Sequence, residues 1–346
     1  MGDYTRILCA ALNRQGFIVT ILAINDAFVS APSHEEQNCG NDKIKVFRLP
    51  HQFSWSLRET LAIKWIKEQQ PDWVSLQFVL FTFHPKGICL GLGGLLAEIK
   101  KTAWLHVMVH EPWIVWSFRF PFKLRFLGVI QKFAVMAVFK VNSPDAISTS
   151  LPLYQRALRG INKHVELLPL FGNIPKANIA GNREWLLLKC LADPSSGFVL
   201  AGFFGNISRF LSLTILRAFI KEHIGKNHKV IIFHAGGMGA AGQKVWDEMT
   251  LVPPEGVSFV SLGRLSEVDA SRYFQSLDYG LTSYSTVTWG KSGVVAAMRD
   301  HGLTVFPCGD DTMISDKIRS EVVWPSPWNV DIAATALMRQ LSANMR

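Results

Sequence analysis

Three short stretches carry residue types that could handle an anionic ligand. In "STVTWGKSG", Lys291, Ser292 and Gly293 follow the apolar run "YGLTSY" and open the helical pattern "GVVAAMRDHG". Unpaired helix amides and a lysine at one turn both favour negative charge, so they make an anion site. The competing reading is an ordinary helix N-cap. Ser285 stands where a G-x-x-x-x-G-K-[ST] loop needs its first glycine, which excludes an ATPase P-loop. In "HAGGMGAAG", Gly237, Gly239 and Gly242 keep a G-x-G-x-x-G spacing after a strand. Such glycines let a backbone turn approach a phosphate. No carboxylate follows about 20 residues on, where a dinucleotide fold wants one; Ser261, Leu262 and Gly263 are found there. A tight loop without ligand is the alternative. In "LHVMVHEPWIVW", His110 and Glu111 close an apolar strand. Open parallel sheets bind ligands at strand C-termini. A histidine there donates to sugar hydroxyls or moves a proton, unless the local backbone satisfies it.

Elements must position these residues. Short β-branched or aromatic runs ("FIVTILAI", "KIKVFRL", "DWVSLQF", "AWLHVMV", "VELLPL", "FVLAGFF", "KVIIFHAG", "VSFVSLG", "YGLTSY", "LTVFPC") alternate with helical patterns such as "SLRETLAIKWIKEQQ" and "SLTILRAFIKEHIGK". That alternation predicts an α/β fold with parallel sheets covered by helices on both faces. The pattern pauses at "IPKANIAGNREWLLLKCLADPSSG". The predicted division is therefore an N-terminal unit over 1–175, a linker over 176–196, a second unit over 197–325 and a closing helix over 326–346.

The formal net charge of +9 calls for an anionic partner or leaves a merely basic protein. A hydrophobic share of 49% is ample for large cores and excludes disorder. The five cysteines are scattered, with no C-x-x-C pair, which fits reduced thiols better than a disulfide framework or zinc site. No basic segment followed by an apolar core opens the chain, and no uncharged apolar run reaches the ~18 residues of a spanning helix. Between 112 and 140, Arg119, Lys123, Arg125, Lys132 and Lys140 are interleaved with Trp, Phe and Leu and joined by no acid. Such a run suits an anionic membrane surface, or a buried helix with basic edges. No nucleic-acid module accompanies it.

Taken in order, several stretches resemble the retaining GT-B glycosyltransferases of the family 4, or group 1, type. These are "GDYTRILCAALNRQGFIVTIL", "VHEPWI", "VELLPLFGNIP", "LAGFFGNIS" and "LDYGLTSY" with "GKSGVVAAMRDHGLTVF". The resemblance implies two Rossmann-like domains with an active site in their cleft. It implies a nucleoside-diphosphate sugar as donor and a glycan or lipid-linked acceptor, with no metal or other cofactor. By the same resemblance Gly2 and Asp3 fall in a loop beside the diphosphate and acceptor. His110, with Glu111, falls near the donor sugar, and Gly205, Asn206 and Arg209 with Lys291, Ser292 and Gly293 fall around the diphosphate.

Three departures accompany the resemblance; in one, Asn206 and Phe210 stand where the family's usual Arg and Lys follow the first strand of the second domain, with Arg209 one step away. Trp289 and Ala297 stand where many members carry paired glutamates, so the ribose contact needs another group. The first strand and most of the first glycine loop are missing before "MGDYT". The helix at Asp3 and Tyr4, with its face Ile7, Leu8, Ala11 and Leu12, implies a sheet beneath it. The expectation is an N-terminal sheet with an unfilled central place and a reading frame that begins upstream. The expected setting is cytoplasmic, on the inner face of a membrane, in surface polysaccharide assembly. A GT-B-like epimerase, or a binding protein that has lost its chemistry, is the alternative.

Overall fold

A computed structural model describes residues 2–40, 42–114, 121–190, 197–224, 229–309 and 328–344. The chain divides into two units, Met1–Pro169 with Val330–Arg346, and Leu170–Asn329.

The first unit runs α1 (Gly2–Arg14), β1 (Thr20–Asp26), β2 (Ser33–Cys39), β3 (Asp42–Pro50), α2 (Trp55–Gln69), β4 (Trp73–Val79), α3 (Leu80–Phe83), α4 (Leu92–Ile99), β5 (Trp104–Glu111), α5 (Phe122–Asn142), β6 (Ala146–Thr149), α6 (Pro152–Leu158) and β7 (Val165–Leu167). The C-terminal helix Val330–Asn344 returns to it. Four parallel strands lie in the order β4-β5-β6-β7. Three more lie in the order β1-β3-β2, with β1 parallel and β2 antiparallel to β3. The β2–β3 hairpin turns at Gly40, whose φ of 60° suits a residue without a side chain.

One core serves both sheets. Phe47, Leu49, Phe78, Val107, Val109 and Ile147 are buried in it, and Leu22 and Ile24 of β1 and Val74 and Leu76 of β4 pack against it. Among the described residues, β1 and β4 each pair with one neighbouring strand only. The first unit therefore holds two sheets, with β1 at an edge of one and β4 at an edge of the other. Side chains cap part of the β1 edge instead. Arg58 Nη1 donates to the Ile24 carbonyl (3.1 Å) and to Asn25 Oδ1 (2.8 Å), and Asn25 Nδ2 donates to the Thr82 carbonyl (2.7 Å). The helix α1 buries Leu8, Cys9, Ala10, Ala11 and Leu12. Its end is fixed by Arg14, which pairs with Asp42 at 2.9 Å and Asp331 at 3.0 Å.

The second unit runs α7 (Asn182–Leu188), β8 (Phe198–Phe204), α8 (Leu213–Ile224), β9 (Lys229–Ala235), α9 (Ala240–Thr250), β10 (Val257–Ser261), α10 (Glu267–Ser276), β11 (Tyr279–Thr282), a 3-10 turn (Thr286–Lys291), α11 (Gly293–Asp300) and β12 (Thr304–Pro307). Its five strands are all parallel, in the order β10-β9-β8-β11-β12. β8 is apolar along its length because both faces are covered. Val199, Ala201 and Phe203 enter one core with Leu216 and Phe219, while Leu200 enters the other with Phe233 and Phe274.

The predicted boundaries need correction. Unit 1 ends at Pro169, and the chain enters unit 2 at Leu170, ahead of residue 175. Within 176–196, Asn182–Leu188 is a helix with Leu186 and Leu187 buried, so this part is no linker. Arg183 ties it to the unit through Asp278 (2.9 Å) and the Phe198 carbonyl (2.7 Å). The closing helix belongs to unit 1. Residues 191–196, 326–327 and 345–346 of these spans lie outside the described residues.

Candidate functional site

In the second unit β8 is central, with β9 on one side and β11 on the other. A ligand on an open parallel sheet binds where strand order reverses, beyond the C-terminal ends of the strands. Two of the predicted groups fall there. Gly205 follows β8 with φ 75°, a left-handed turn that a side chain would strain. Its amide donates to the Ala235 carbonyl at 2.7 Å, and its carbonyl accepts from His234 Nε2 at 2.7 Å. Asn206 then turns toward α9, where its Oδ1 accepts from the Gly239 amide at 3.1 Å. Across β8, the Ser208 amide donates to Ser283 Oγ at 2.8 Å. The loops after β8, β9 and β11 are thus hydrogen-bonded into one turn cluster.

The glycine-rich stretch belongs to this cluster. A side chain at Gly242 would lie 2.7 Å from the Ile207 carbonyl oxygen and 2.9 Å from Asn206 Oδ1, so only glycine lets α9 come this close. Gly236 (φ 96°) packs as tightly on the Gly205 amide. Of the three glycines whose spacing stands as a weak phosphate signal in the sequence, Gly242 is therefore a packing requirement of the Gly205–Asn206 turn, while Gly237 and Gly239 have ordinary contacts. Arg209 is exposed and stacks on the Phe210 ring, 4.9 Å from its centroid.

The Lys291–Ser292–Gly293 step lies after β11. Lys291 ends the 3-10 turn, and Ser292 caps α11 by accepting from the Val295 amide at 3.3 Å. The N-cap reading therefore holds for Ser292, and Lys291 stands one residue ahead of the cap. The segment 170–173 lines this step. The Leu170 amide donates to the Gly290 carbonyl at 2.9 Å, and the Gly172 amide to Asp300 Oδ2 at 3.0 Å. Ala297 is buried against Gly172, so position 297 has no room for a glutamate. Trp289 Nε1, Ser285 Oγ and His234 Nδ1 are buried with no hydrogen-bond partner among the described residues. Buried polar atoms are normally paired, and these three exceptions lie near the ends of β9 and β11.

His110 occupies the end of β5 in the first unit. A register shift at this point of the β4–β5 ladder turns it toward β4. Its Nε2 lies 2.9 Å from Gln77 Oε1, and the Tyr4 ring packs edge-on at 5.0 Å. Only 6% of His110 is exposed, and burial pushes its pKa down to about 3. A neutral imidazole at pH 7 is a hydrogen-bonding group, not a resident cation. Glu111 follows at the half-buried strand end. Gly2 and Asp3 correct the predicted loop: they form the exposed first turn of α1, with Asp3 paired to Arg6 at 3.1 Å. Tyr4, in the same turn, is the residue that reaches His110.

Sequence reasoning missed Tyr4, Gln77, His234 and Ser283. His234 carried the signal used for His110, a histidine ending an apolar strand; the others depend on partners far away in the chain. No cluster of three His, Cys, Asp or Glu side chains exists among the described residues.

The basic run forms α5 over 122–142; Arg119 and residues 115–120 lie outside the described residues. Val135, Val138 and Phe139 face the core. The opposite side exposes Phe122 (77%), Phe126 (58%), Phe133 (68%) and Val141 (82%), with Lys123, Lys132 and Lys140 exposed beside them. The helix is therefore apolar on both sides. No helix among the described residues is long and apolar enough to cross a membrane.

No family model and no curated protein matches the sequence. Solved structures do. HepE of Anabaena in complex with UDP is 12% identical, with 86% of each chain covered and a TM-score of 0.54. The catalytic domain of starch synthase IV from Arabidopsis thaliana, bound to ADP and acarbose, is 10% identical, covering 100% of this chain and 88% of that one at a TM-score of 0.54. The trehalose-6-phosphate structure from E. coli bound with UDP-2-fluoro glucose is 11% identical, covering 99% and 88% at a TM-score of 0.55. The fold is GT-B. At these identities the likeness is one of fold, and a GT-B chain must show its chemistry through its own residues.

Proposed function

We propose that this GT-B chain is a glycosyltransferase that takes a sugar from a nucleoside-diphosphate sugar and passes it to a glycan or lipid-linked acceptor. The observation that carries this reading is the joined turn cluster at the reversal point of the second sheet, Gly205–Asn206 bonded to Gly239 and Ser208 to Ser283. Such a cluster spends its own amides on holding the three loops together, and it fixes them at the strand ends where a ligand of an open parallel sheet binds. That GT-B structures with UDP, ADP and UDP-2-fluoro glucose share the fold supports the choice of ligand. In the reaction the bond from the anomeric carbon to the diphosphate oxygen breaks and one to an acceptor oxygen forms. The acceptor's hydroxyl proton passes to the departing diphosphate oxygen. Lys291 and the α11 amides stabilise the charge that develops on the diphosphate, with Arg209 as a second cation, so that no metal is required. Trp289 Nε1 takes a ligand oxygen in place of the absent glutamate. Neutral His110, beside Glu111 in the first unit, is the hydrogen-bonding group that the GT-B resemblance sets near the donor sugar. Retention of anomeric configuration and a role in surface polysaccharide assembly belong to this proposal.

The exposed aromatic and lysine face of α5 supports a peripheral seat on an anionic membrane surface, where a lipid-linked acceptor resides. The deciding experiment is a screen of UDP-, ADP- and GDP-sugars on purified protein, read as nucleotide binding by calorimetry and as nucleoside-diphosphate release. Binding with release on acceptor addition supports transfer. Binding without turnover would favour a binding protein, the reading that buried Ala297 favours. No binding would defeat the proposal.

A further inference from the structure

His110 and Gln340 stand at the two ends of one hydrogen-bonded chain on a single face of the β4-β5-β6-β7 sheet. Gln340 Nε2 is 3.2 Å from the Ile147 carbonyl oxygen, and its Oε1 is 2.6 Å from Ser148 Oγ. Ser148 Oγ is 3.0 Å from His106 Nε2, and His106 Nδ1 is 2.8 Å from Ser75 Oγ. Ser75 Oγ is 3.0 Å from Gln77 Nε2, and Gln77 Oε1 is 2.9 Å from His110 Nε2. We propose that Gln340, on the C-terminal helix, acts through this chain as a positioning residue that fixes His110 with its proton on Nε2 and a lone pair on Nδ1.

The direction follows from a single anchor. A backbone carbonyl can only accept, so the Ile147 oxygen holds the Gln340 amide with its NH2 inward and its Oε1 toward Ser148. Ser148 then spends its one hydroxyl proton on Oε1, and its oxygen must accept from His106 Nε2. A neutral imidazole that donates from one nitrogen accepts at the other. Burial keeps His106 neutral, its pKa pushed down to about 3. Its Nδ1 therefore receives the Ser75 hydroxyl proton. Ser75 has no proton left for Gln77, so Gln77 must present its NH2 to Ser75 and its Oε1 to His110. The carboxamide oxygen can only accept, and His110 Nε2 must donate. Reversing any one link places two acceptors, or two donors, face to face. That loses the bond, and at the buried links among Gln340, Ser148 and His106 it adds a desolvation cost.

The consequence for chemistry rests on the proposed reading of His110 as the group beside the donor sugar. A ring held this way accepts a hydrogen bond from a sugar hydroxyl at Nδ1, where the sequence pointed to a donating histidine.

The test is long-range proton–nitrogen correlation spectroscopy on full-length protein with 15N-histidine, at neutral pH and without nucleotide. His110 is assigned by its disappearance in His110→Gln. Protonated and bare ring nitrogens have widely separated shifts, so the tautomer is read directly. The expected wild-type spectrum shows one His110 tautomer, with Nε2 protonated and Nδ1 bare. Gln340→Met frees the Ser148 proton, and Ser75→Ala cuts the chain at an exposed residue beside Gln77. In both, the two His110 nitrogen shifts should move toward each other as the second tautomer gains population. Should Gln340→Met fail to fold, Ser75→Ala decides in its place. A wild-type ring protonated on Nδ1, or folded variants with unmoved His110 shifts, overturns the proposal. The readout needs no ligand, so a protein that binds no sugar nucleotide would defeat the donor reading and leave the tautomer result standing.

Discussion

Lys291 and Gly242 serve one cluster by different means, and their substitutions should separate. Lys291→Ala removes a cation at the start of a helix. A charge-assisted hydrogen bond is worth ~1.5–3 kcal/mol, so affinity for UDP or ADP should fall at least about tenfold in calorimetry, with little change in melting temperature. Unchanged affinity for both nucleotides would remove Lys291 from the site. Gly242→Ala instead drives a methyl group into the Ile207 carbonyl and the Asn206 side chain, and the backbone cannot yield cheaply. Expected are a melting temperature several degrees lower and a loss of nucleotide binding together. A third expectation concerns acid. His106 and His110 are buried neutral with pKa values lowered to about 3, so the unfolded chain binds more protons than the folded one below the ordinary histidine pKa of about 6.5. Stability is full above that pH. It should fall as pH drops toward 4, each histidine adding a slope of up to ~1.4 kcal/mol per pH unit. Thermal melts between pH 7.5 and 5 check this, and a flat profile counts against both assignments. The place of His110 at a strand end was legible because the run before it is apolar. Gly242 could be noticed but not understood, because its partner Asn206 lies on a different strand end.

At the scale of elements, α5 offers the sharpest test. Its outward side carries Phe122, Phe126 and Phe133 with lysines beside them, and each basic residue near an anionic surface contributes ~1 kcal/mol. Flotation with anionic vesicles at moderate salt should carry the protein up, and neutral vesicles should leave it below. Replacing Phe126 and Phe133 by Ser should weaken flotation without unfolding, since both point away from the core. Equal partition between the two vesicle types would refute the electrostatic part. The apolar parallel strands were visible in the sequence because burial on both faces leaves continuous hydrophobic runs. β2 was not. "SHEEQNC" has no β-branched residue, and it forms a strand because it pairs antiparallel with β3 across the Gly40 turn. The Gly-Asn pair between two extended runs was the overlooked sign. β6 is four residues long, too short for any period to show. The helix Asn182–Leu188 was hidden by the glycine and prolines around it, and its burial on α10 comes from tertiary packing.

For the molecule as a whole, the two-unit α/β organisation was legible from alternation alone. The place where the chain changes units was not, because segment 170–173 is held by its own amides, Leu170 on the Gly290 carbonyl of the 3-10 turn and Gly172 on the Asp300 carboxylate of α11, and such bonds carry no composition signal. A nucleotide that binds only the folded protein adds ~2.7 kcal/mol at a hundredfold excess over its Kd. The melting transition should then rise by roughly 5–10 °C with a true donor nucleotide, given ~2–4 °C per kcal/mol for a domain of this size. A broad nucleotide panel with no shift would leave the GT-B fold without its proposed ligand. One further property follows from β1 and β4, which pair on one side only. In a doubly wound sheet the central strands are ordinarily the slowest to trade amide hydrogen for deuterium, and protection fades outward. β1 and β4 are edge strands of their two sheets and should follow that gradient. Deuterium should enter alternate amides of both strands within the early time points, while β5, which neighbours β4, stays protonated for far longer. The calmest and the most restless backbone of the four-stranded sheet then lie one strand apart, and anything that pairs with either edge would announce itself first as a slowing of exchange there.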